Sequence, residues 1–196
     1  MYKPLSNRKI YLASASPRRR QLLGGLDIDI KLIPPREVDE SYPPTLPAEH
    51  VAEYISRKKA EAYLHDLEPQ SVIITADTVV ICDGEVLGKP HGGKEGARNM
   101  LRQLSGKAHK VITGVTLTTP EQGMTSFSTT TIVHFKPLTE QEIDYYVENY
   151  DPADKAGAYG IQEWIGYIGV PRIEGCFYNV MGLPLHDLFM MLTTLN

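Results

Sequence analysis

Val72-Ile73-Ile74-Thr75-Ala76-Asp77-Thr78-Val79-Val80-Ile81-Cys82-Asp83-Gly84-Glu85 is the stretch on which the fold turns. Residues 72–82 are strongly β-branched and apolar, the composition of a buried strand. Asp83-Gly84 then supplies a two-residue hairpin turn. Strands and helices alternate elsewhere, so one antiparallel hairpin makes the chain mixed α/β and not a purely parallel doubly wound sheet. Asp77 interrupts the run. A carboxylate in a buried strand is costly unless it is hydrogen-bonded, paired with a cation or coordinating a metal. With Asp83-Gly84 as the turn, Cys82 pairs with Glu85 and the register sets Lys89 opposite Thr78 and diagonal to Asp77. Asp77, Thr78 and Lys89 are therefore read as one polar cluster, against the alternative of a structural Asp satisfied by backbone amides.

Upstream, Ile10-Tyr11-Leu12-Ala13 reads as a strand, and Ser14-Ala15-Ser16-Pro17-Arg18-Arg19-Arg20 as a tight turn entering a helix that Gly24-Gly25 can end. Ser16 is a good N-cap and Pro17 suits the first helical position. A helix N-terminus favours acidic residues in its first turn, yet this one carries three arginines, a pattern that suits a bound phosphate. Residues four apart share a face, so Arg18 and Arg19 lie above Leu22 and Leu23, while Arg20 points outward. Ile28 to Ile33 is a strand, followed by an acidic, proline-rich loop that ends near Glu40. Ala48 to Leu67 reads as one long helix, with Lys59 on its apolar stripe, where it is either a snorkelling lysine or a candidate cation for the site.

Downstream, Lys94 to Leu104 reads as a helix, and Lys110 to Thr118 and Ser126 to Phe135 as strands. Thr139-Glu140-Gln141-Glu142 is a capping box opening a helix to Asn149. A Gly-rich segment around Gln162 follows, then an expected strand pair between Ile165 and Val180 and a C-terminal helix from Pro184. The Gln162 amide offers both a donor and an acceptor, as reading a base edge requires.

The chain has 196 residues, a net charge of −4 and two cysteines, Cys82 and Cys176. Its acidic balance disfavours a stable nucleic-acid partner but allows a small phosphorylated ligand at a local cluster of cations. The two distant cysteines read as buried thiols in a reducing compartment. No apolar run has the length of a secretory signal or a membrane span, so a cytoplasmic protein without membrane association is expected. Gly88 to Glu95 nearly matches a P-loop, but Glu95 stands where Ser or Thr must hold Mg²⁺ and Pro90 interrupts the loop, so this lead is rejected. There is no dinucleotide fingerprint, zinc spacing or nucleophile elbow.

Five separated motifs, in order, resemble those of the Maf family, nucleoside triphosphate pyrophosphatases formerly called septum-formation proteins. They are Ala13-Ser14-Ala15-Ser16-Pro17-Arg18-Arg19, Val38-Asp39-Glu40, Lys59-Ala60, Ala76-Asp77-Thr78-Val79-Val80 with Gly88-Lys89-Pro90, and the run from Asp154 to Gln162 with Gly182-Leu183-Pro184. The resemblance implies a single domain over residues 1–196 and a mixed twisted β-sheet flanked by helices. It also implies two lobes around a central cleft, as in inosine triphosphatases, and commonly a homodimer. It points to the branch that hydrolyses dTTP and UTP, with Arg18, Thr78 and Gln162 at the discriminating positions and Asp77 as proton acceptor. Ser14, Arg19, Lys59 and Lys89 would join in binding substrate. Glu40 and Asp77 would hold a divalent cation, Mg²⁺ or Mn²⁺. Glu163-Trp164-Ile165 departs from the family pattern, in which a glycine commonly follows the glutamine. The expected role is house-cleaning of nucleotide pools, including modified pyrimidine nucleotides, with a possible link to cell-division arrest. The alternative is a non-catalytic, nucleotide-sensing regulator of septum formation.

Overall fold

In a computed structural model, which describes residue 5 and residues 7–195, seven strands form in chain order: β1 (Lys9–Ala13), β2 (Ile30–Ile33), β3 (Ser71–Cys82), β4 (Glu85–Leu87), β5 (Ala108–Thr119), β6 (Gly123–His134) and β7 (Arg172–Glu174). The helices are α1 (Pro17–Gly24), α2 (Val51–Glu61), α3 (Gly93–Leu104), α4 (Glu140–Asn149), α5 (Trp164–Gly169), α6 (Phe177–Val180) and α7 (Leu185–Thr194). Among the described residues the strands make one seven-stranded sheet in the order β2-β1-β3-β5-β6-β7, with β4 paired to β3 off this path. β1 runs parallel to β2 and β3, whereas β3–β4 and β6–β7 are antiparallel, so the sheet is mixed as expected.

The Asp83-Gly84 turn sets the register that its sequence specifies. Cys82 lies opposite Glu85, Ile81 opposite Val86 and Val80 opposite Leu87. Asp83 and Gly84 take φ of 52° and 83°, the positive pair that a type I′ hairpin turn requires. The ladder stops at Leu87, two residues short of setting Lys89 against Thr78.

The chain divides into two compact units, and the boundaries fall within β3, β5 and β6 and between α6 and α7. The first comprises Met1–Asp77, Thr113–Thr129 and Gly182–Asn196. Its core includes Leu12, Leu22, Leu23, Val51, Ile55, Val72 and Ile74, all buried. Each such side chain contributes about 2 kcal/mol through removal from water. α2 lies directly on β5: a Cβ on Gly114 would stand 2.3 Å from the Glu53 nitrogen, so only glycine lets the helix backbone approach this closely. Ser56 Oγ meets Thr116 Oγ1 at 2.8 Å and Thr75 Oγ1 donates to Ser56 O at 2.8 Å, which fixes α2 against β5 and β3.

The second unit comprises Thr78–Ile112 and Thr130–Met181. Here α3 buries Ala97, Leu101 and Leu104, and α4 buries Ile143, Tyr146 and Val147. The Thr139–Glu142 capping box opens α4 as its sequence indicates. Arg98 joins the two helices through Asp144 (2.7 Å) and Glu148 (2.6 Å).

Two further expectations are corrected. The long helix over Ala48–Leu67 is a 3₁₀ turn at Ala48–His50, then α2, then a second 3₁₀ turn at Leu64–Asp66. It ends early because Tyr63 turns into the core at 4% exposure, and its hydroxyl donates to Pro34 O and accepts from Arg36 N, both at 2.8 Å. The strand pair between Ile165 and Val180 is instead α5, the short β7, and α6. Ile165 and Gly166 are buried, and a Cβ on Gly166 would lie 2.1 Å from Ile161 O. Tertiary packing therefore overrides the local β-branched signal.

Candidate active site

The first unit builds a charged cluster around Asp77. β3 is buried from Ser71 to Ala76, and Asp77 is its first residue with solvent access, its side chain 14% exposed. Lys59, near the end of α2, reaches it: Nζ lies 2.7 Å from Asp77 Oδ1 and 2.9 Å from Glu40 Oε1. Lys59 is thus not a snorkelling lysine but the cation that joins two carboxylates.

Glu40 is exposed on a loop whose shape is set next to it. Asp39 accepts from Ser41 N at 2.9 Å and Ser41 Oγ at 2.6 Å, and Lys58 Nζ lies 3.4 Å away. The Ser41 bonds, with Lys58 beside them, hold the Asp39 carboxyl down at about 2.

Burial raises the Asp77 pKa above the ordinary carboxylate value; Lys59 and Arg19 oppose the rise, and the nearby Glu40 adds to it. The Arg19 guanidinium is pushed the other way by burial and by Arg18, with Asp77 and Glu40 offsetting.

α1 starts as its sequence dictates. Ser16 Oγ caps the helix by accepting from Arg19 N at 3.4 Å, Pro17 takes the first position, and Ser14 Oγ accepts from Ser16 N at 3.2 Å. No acidic residue occupies the first turn. Arg20 is exposed and Arg18 half-buried, as the four-residue spacing implied. Arg19 does more than the sequence suggested. Its Nε donates to Gly182 O and its Nη1 to Ala76 O, both at 2.8 Å, so it also fixes the end of the buried run that delivers Asp77.

Thr78, Lys89 and Gln162 belong to the second unit. Thr78 follows Asp77 in β3 and is half-buried; Lys89 is exposed just beyond β4; Gln162 is half-buried ahead of α5. A hydrogen bond from Gly157 N to Gly88 O (3.1 Å) ties the segment leading to Gln162 to the turn that carries Lys89. Gly157 has φ 74°, and a Cβ there would meet Val80 Cγ2 at 2.9 Å, so glycine is required on both counts.

Sequence reasoning missed three residues that shape these positions: Tyr63 under the loop, Asp39 beside Glu40, and Glu163 after Gln162. Asp39 had a local signal, the Asp-x-Ser spacing of an Asx turn, and Glu163 stood out only as a departure from the family pattern.

A pair of carboxylates converging on one ammonium is an oxygen donor set suited to a hard divalent cation. Mg²⁺ is commonly bound by one or two carboxylates plus substrate phosphates. Among the described residues no group of three or more His, Cys, Asp or Glu is placed to hold a metal. Glu40 and Asp77 are the two carboxylates that this cluster offers, each with one oxygen paired to Lys59.

The chain is 55% identical to the dTTP/UTP pyrophosphatase of Bacteroides thetaiotaomicron over 94% of its length and 95% of that protein. It is 52% identical to the dTTP/UTP pyrophosphatase of Phocaeicola vulgatus over 100% of both chains, and 51% identical to that of Porphyromonas gingivalis over 94% and 93%. Among solved structures, the Ham1 protein of Staphylococcus aureus shares the fold at a TM-score of 0.56 and 16% identity, covering 94% of this chain and 98% of that one. The Coxiella burnetii HAM1 protein gives 0.50 and 15%, covering 95% and 99%. The Maf-like protein family matches residues 9–195, and with it the motifs around Arg18, Glu40, Lys59, Asp77 and Gln162 find their place: the chain belongs to the Maf family.

Proposed function

We propose that this protein is a nucleoside triphosphate pyrophosphatase that hydrolyses dTTP and UTP to the monophosphate and pyrophosphate. The observation that carries this reading is Asp77, a half-buried carboxylate with a raised pKa, set against Lys59, Glu40 and Arg19. The names of relatives more than half identical to the chain support the substrate choice.

In this mechanism Asp77 accepts a proton from the attacking water as its oxygen bonds to the α-phosphorus. The bond from the α-phosphorus to the bridging oxygen breaks, and pyrophosphate leaves with the electron pair. Arg18, Arg19, Lys59 and Lys89 bind the triphosphate, and Ser14 and the start of α1 contribute polar groups. Lys59 is placed to offset charge on the phosphates while keeping Asp77 ionised. Thr78 and Gln162 select the pyrimidine, with the Gln162 amide reading the base edge. Glu40 and Asp77 would hold Mg²⁺ or Mn²⁺, which would neutralise phosphate charge and stabilise the leaving pyrophosphate.

The chain would act as a single Maf-like domain over residues 1–196. A cytoplasmic location agrees with two free cysteines, Cys82 and Cys176, and no helix among the described residues is long and apolar enough to cross a membrane. A homodimer is part of the proposal, with exposed Tyr145, Tyr167, Phe177 and Tyr178 as the apolar surface it would draw on. Modified pyrimidine nucleotides and a tie to division arrest complete the proposal.

Pyrophosphate release from the common, modified and 7-methylated triphosphates, with and without Mg²⁺ or Mn²⁺, tests it. Metal-dependent preference for dTTP and UTP is expected. Tight dTTP binding without turnover would favour the sensor, and 7-methyl-GTP preference would overturn the branch.

A further inference from the structure

The segment that carries Gln162 closes on a buried phenol. Tyr146, fully buried on α4, accepts from Gly160 N at 3.0 Å and donates to Glu163 Oε2. Glu163 N also donates to Gly160 O at 3.0 Å. Gly160 and Glu163, on either side of Ile161 and Gln162, are thus pinned to each other and to one hydroxyl. The other Glu163 oxygen, Oε1, lies 3.2 Å from Nζ of Lys155, whose side chain is only 9% exposed. Lys155 in turn donates to Asp151 O and Asp154 Oδ1, both at 2.8 Å. There is no slack: a Cβ on Gly160 would stand 2.6 Å from the Glu163 carboxyl carbon. Upstream, Gly157 and Ala158 both have left-handed φ, 74° and 57°, a conformation that alanine holds only under restraint. Burial and Glu163 both keep the Tyr146 phenol protonated, as a donor. Gln162 itself, half-buried, makes no side-chain hydrogen bond among the described residues, so its amide is available to a ligand while its backbone is fixed.

We infer that Lys155, Glu163 and Tyr146 form a positioning brace for Gln162, and that Glu163 sets pyrimidine discrimination by acting through it. The inference depends on Gln162 reading the base, as proposed above.

Steady-state kinetics with dTTP and dCTP on wild type, E163A, E163Q, Y146F, Q162A and the Q162A/E163A double variant test it, with melting temperatures recorded. E163A and Y146F are expected to raise KM for dTTP about tenfold or more with kcat little changed, and to relax the dTTP:dCTP preference. E163Q should recover part of the preference, because its amide oxygen still accepts from Tyr146. In the Q162A background, E163A should cause no further loss of preference. The brace is overturned if Q162A relaxes the preference while folded E163A, E163Q and Y146F keep it, or if the losses multiply in the double variant. If Q162A leaves the preference intact, the reading of Gln162 itself fails, and the proposal with it. E163Q and Y146F preserve the buried volume and carry the comparison if E163A does not fold.

Discussion

Replacing His109 by phenylalanine removes one titrating group from the second unit while keeping a ring in place. His109 is 2% exposed, with its ring edge-on to Phe135 (5.1 Å) and Tyr159 (5.4 Å). Its Nε2 is 2.8 Å from the Tyr159 hydroxyl, and its Nδ1 has no partner among the described residues. Burial, and secondarily the His134 imidazole, push its pKa from 6.5 down to about 4. Between these values the unfolded chain binds a proton that the folded chain does not. Stability therefore falls as pH drops through that window, and the penalty is absent above 6.5. The loss by pH 4 is about 3 kcal/mol, a sizeable part of a typical domain's stability. Urea unfolding of wild type and H109F across this range is the assay. H109F should carry a roughly constant cost from the stranded Tyr159 hydroxyl, yet lose stability less steeply on acidification. The stability difference between the two proteins should change by about 3 kcal/mol. A difference independent of pH would refute the reasoning. Tyr159 belongs to the segment that leads to Gln162.

K59M should lower kcat/KM for dTTP by roughly tenfold to a hundredfold, the worth of a charge-assisted hydrogen bond, and move the acid limb of its pH profile to higher pH. The direction follows because Lys59 opposes the upward push of burial on Asp77; an unmoved limb would show that Asp77 does not govern it. Gly114→Ala should destabilise the fold by about 1–3 kcal/mol in thermal or urea unfolding, because its Cβ would enter the α2 backbone. R20A should change neither dTTP turnover nor, beyond about 0.5 kcal/mol, stability, since Arg20 is exposed.

Local chemistry explains what could be read from the sequence. Asp83-Gly84 dictates a turn through its own backbone preferences, and Ser16-Pro17 and the Thr139–Glu142 box mark helix starts through bonds made within a few residues. The β-branched run around Asp77 marks that residue as anomalous without reference to any partner. The partners were harder to read. Lys59 sits on an apolar stripe whether it snorkels or pairs, and only the placement of α2 over Gly114 brings it between Glu40 and Asp77. Arg19 read as a phosphate ligand, and its bonds to Ala76 O and Gly182 O depend on chain segments distant in sequence. Residues 165–180 misled because isolated Ile and Val favour strands locally, whereas close packing at Gly166 makes a helical turn there. Glu163 stood out as a departure from the family pattern, but its role was not legible, since its partners, Tyr146 and Lys155, lie on separate elements.

The most direct measurement is pyrophosphate release from dTTP by wild type and by Asp77→Asn, with Mg²⁺ present. Wild type should yield one pyrophosphate per dTMP. The variant, nearly isosteric but unable to accept the proton, should lose about a hundredfold or more in kcat. Near-wild-type turnover by Asp77→Asn would contradict the assignment of Asp77 as the group that activates water.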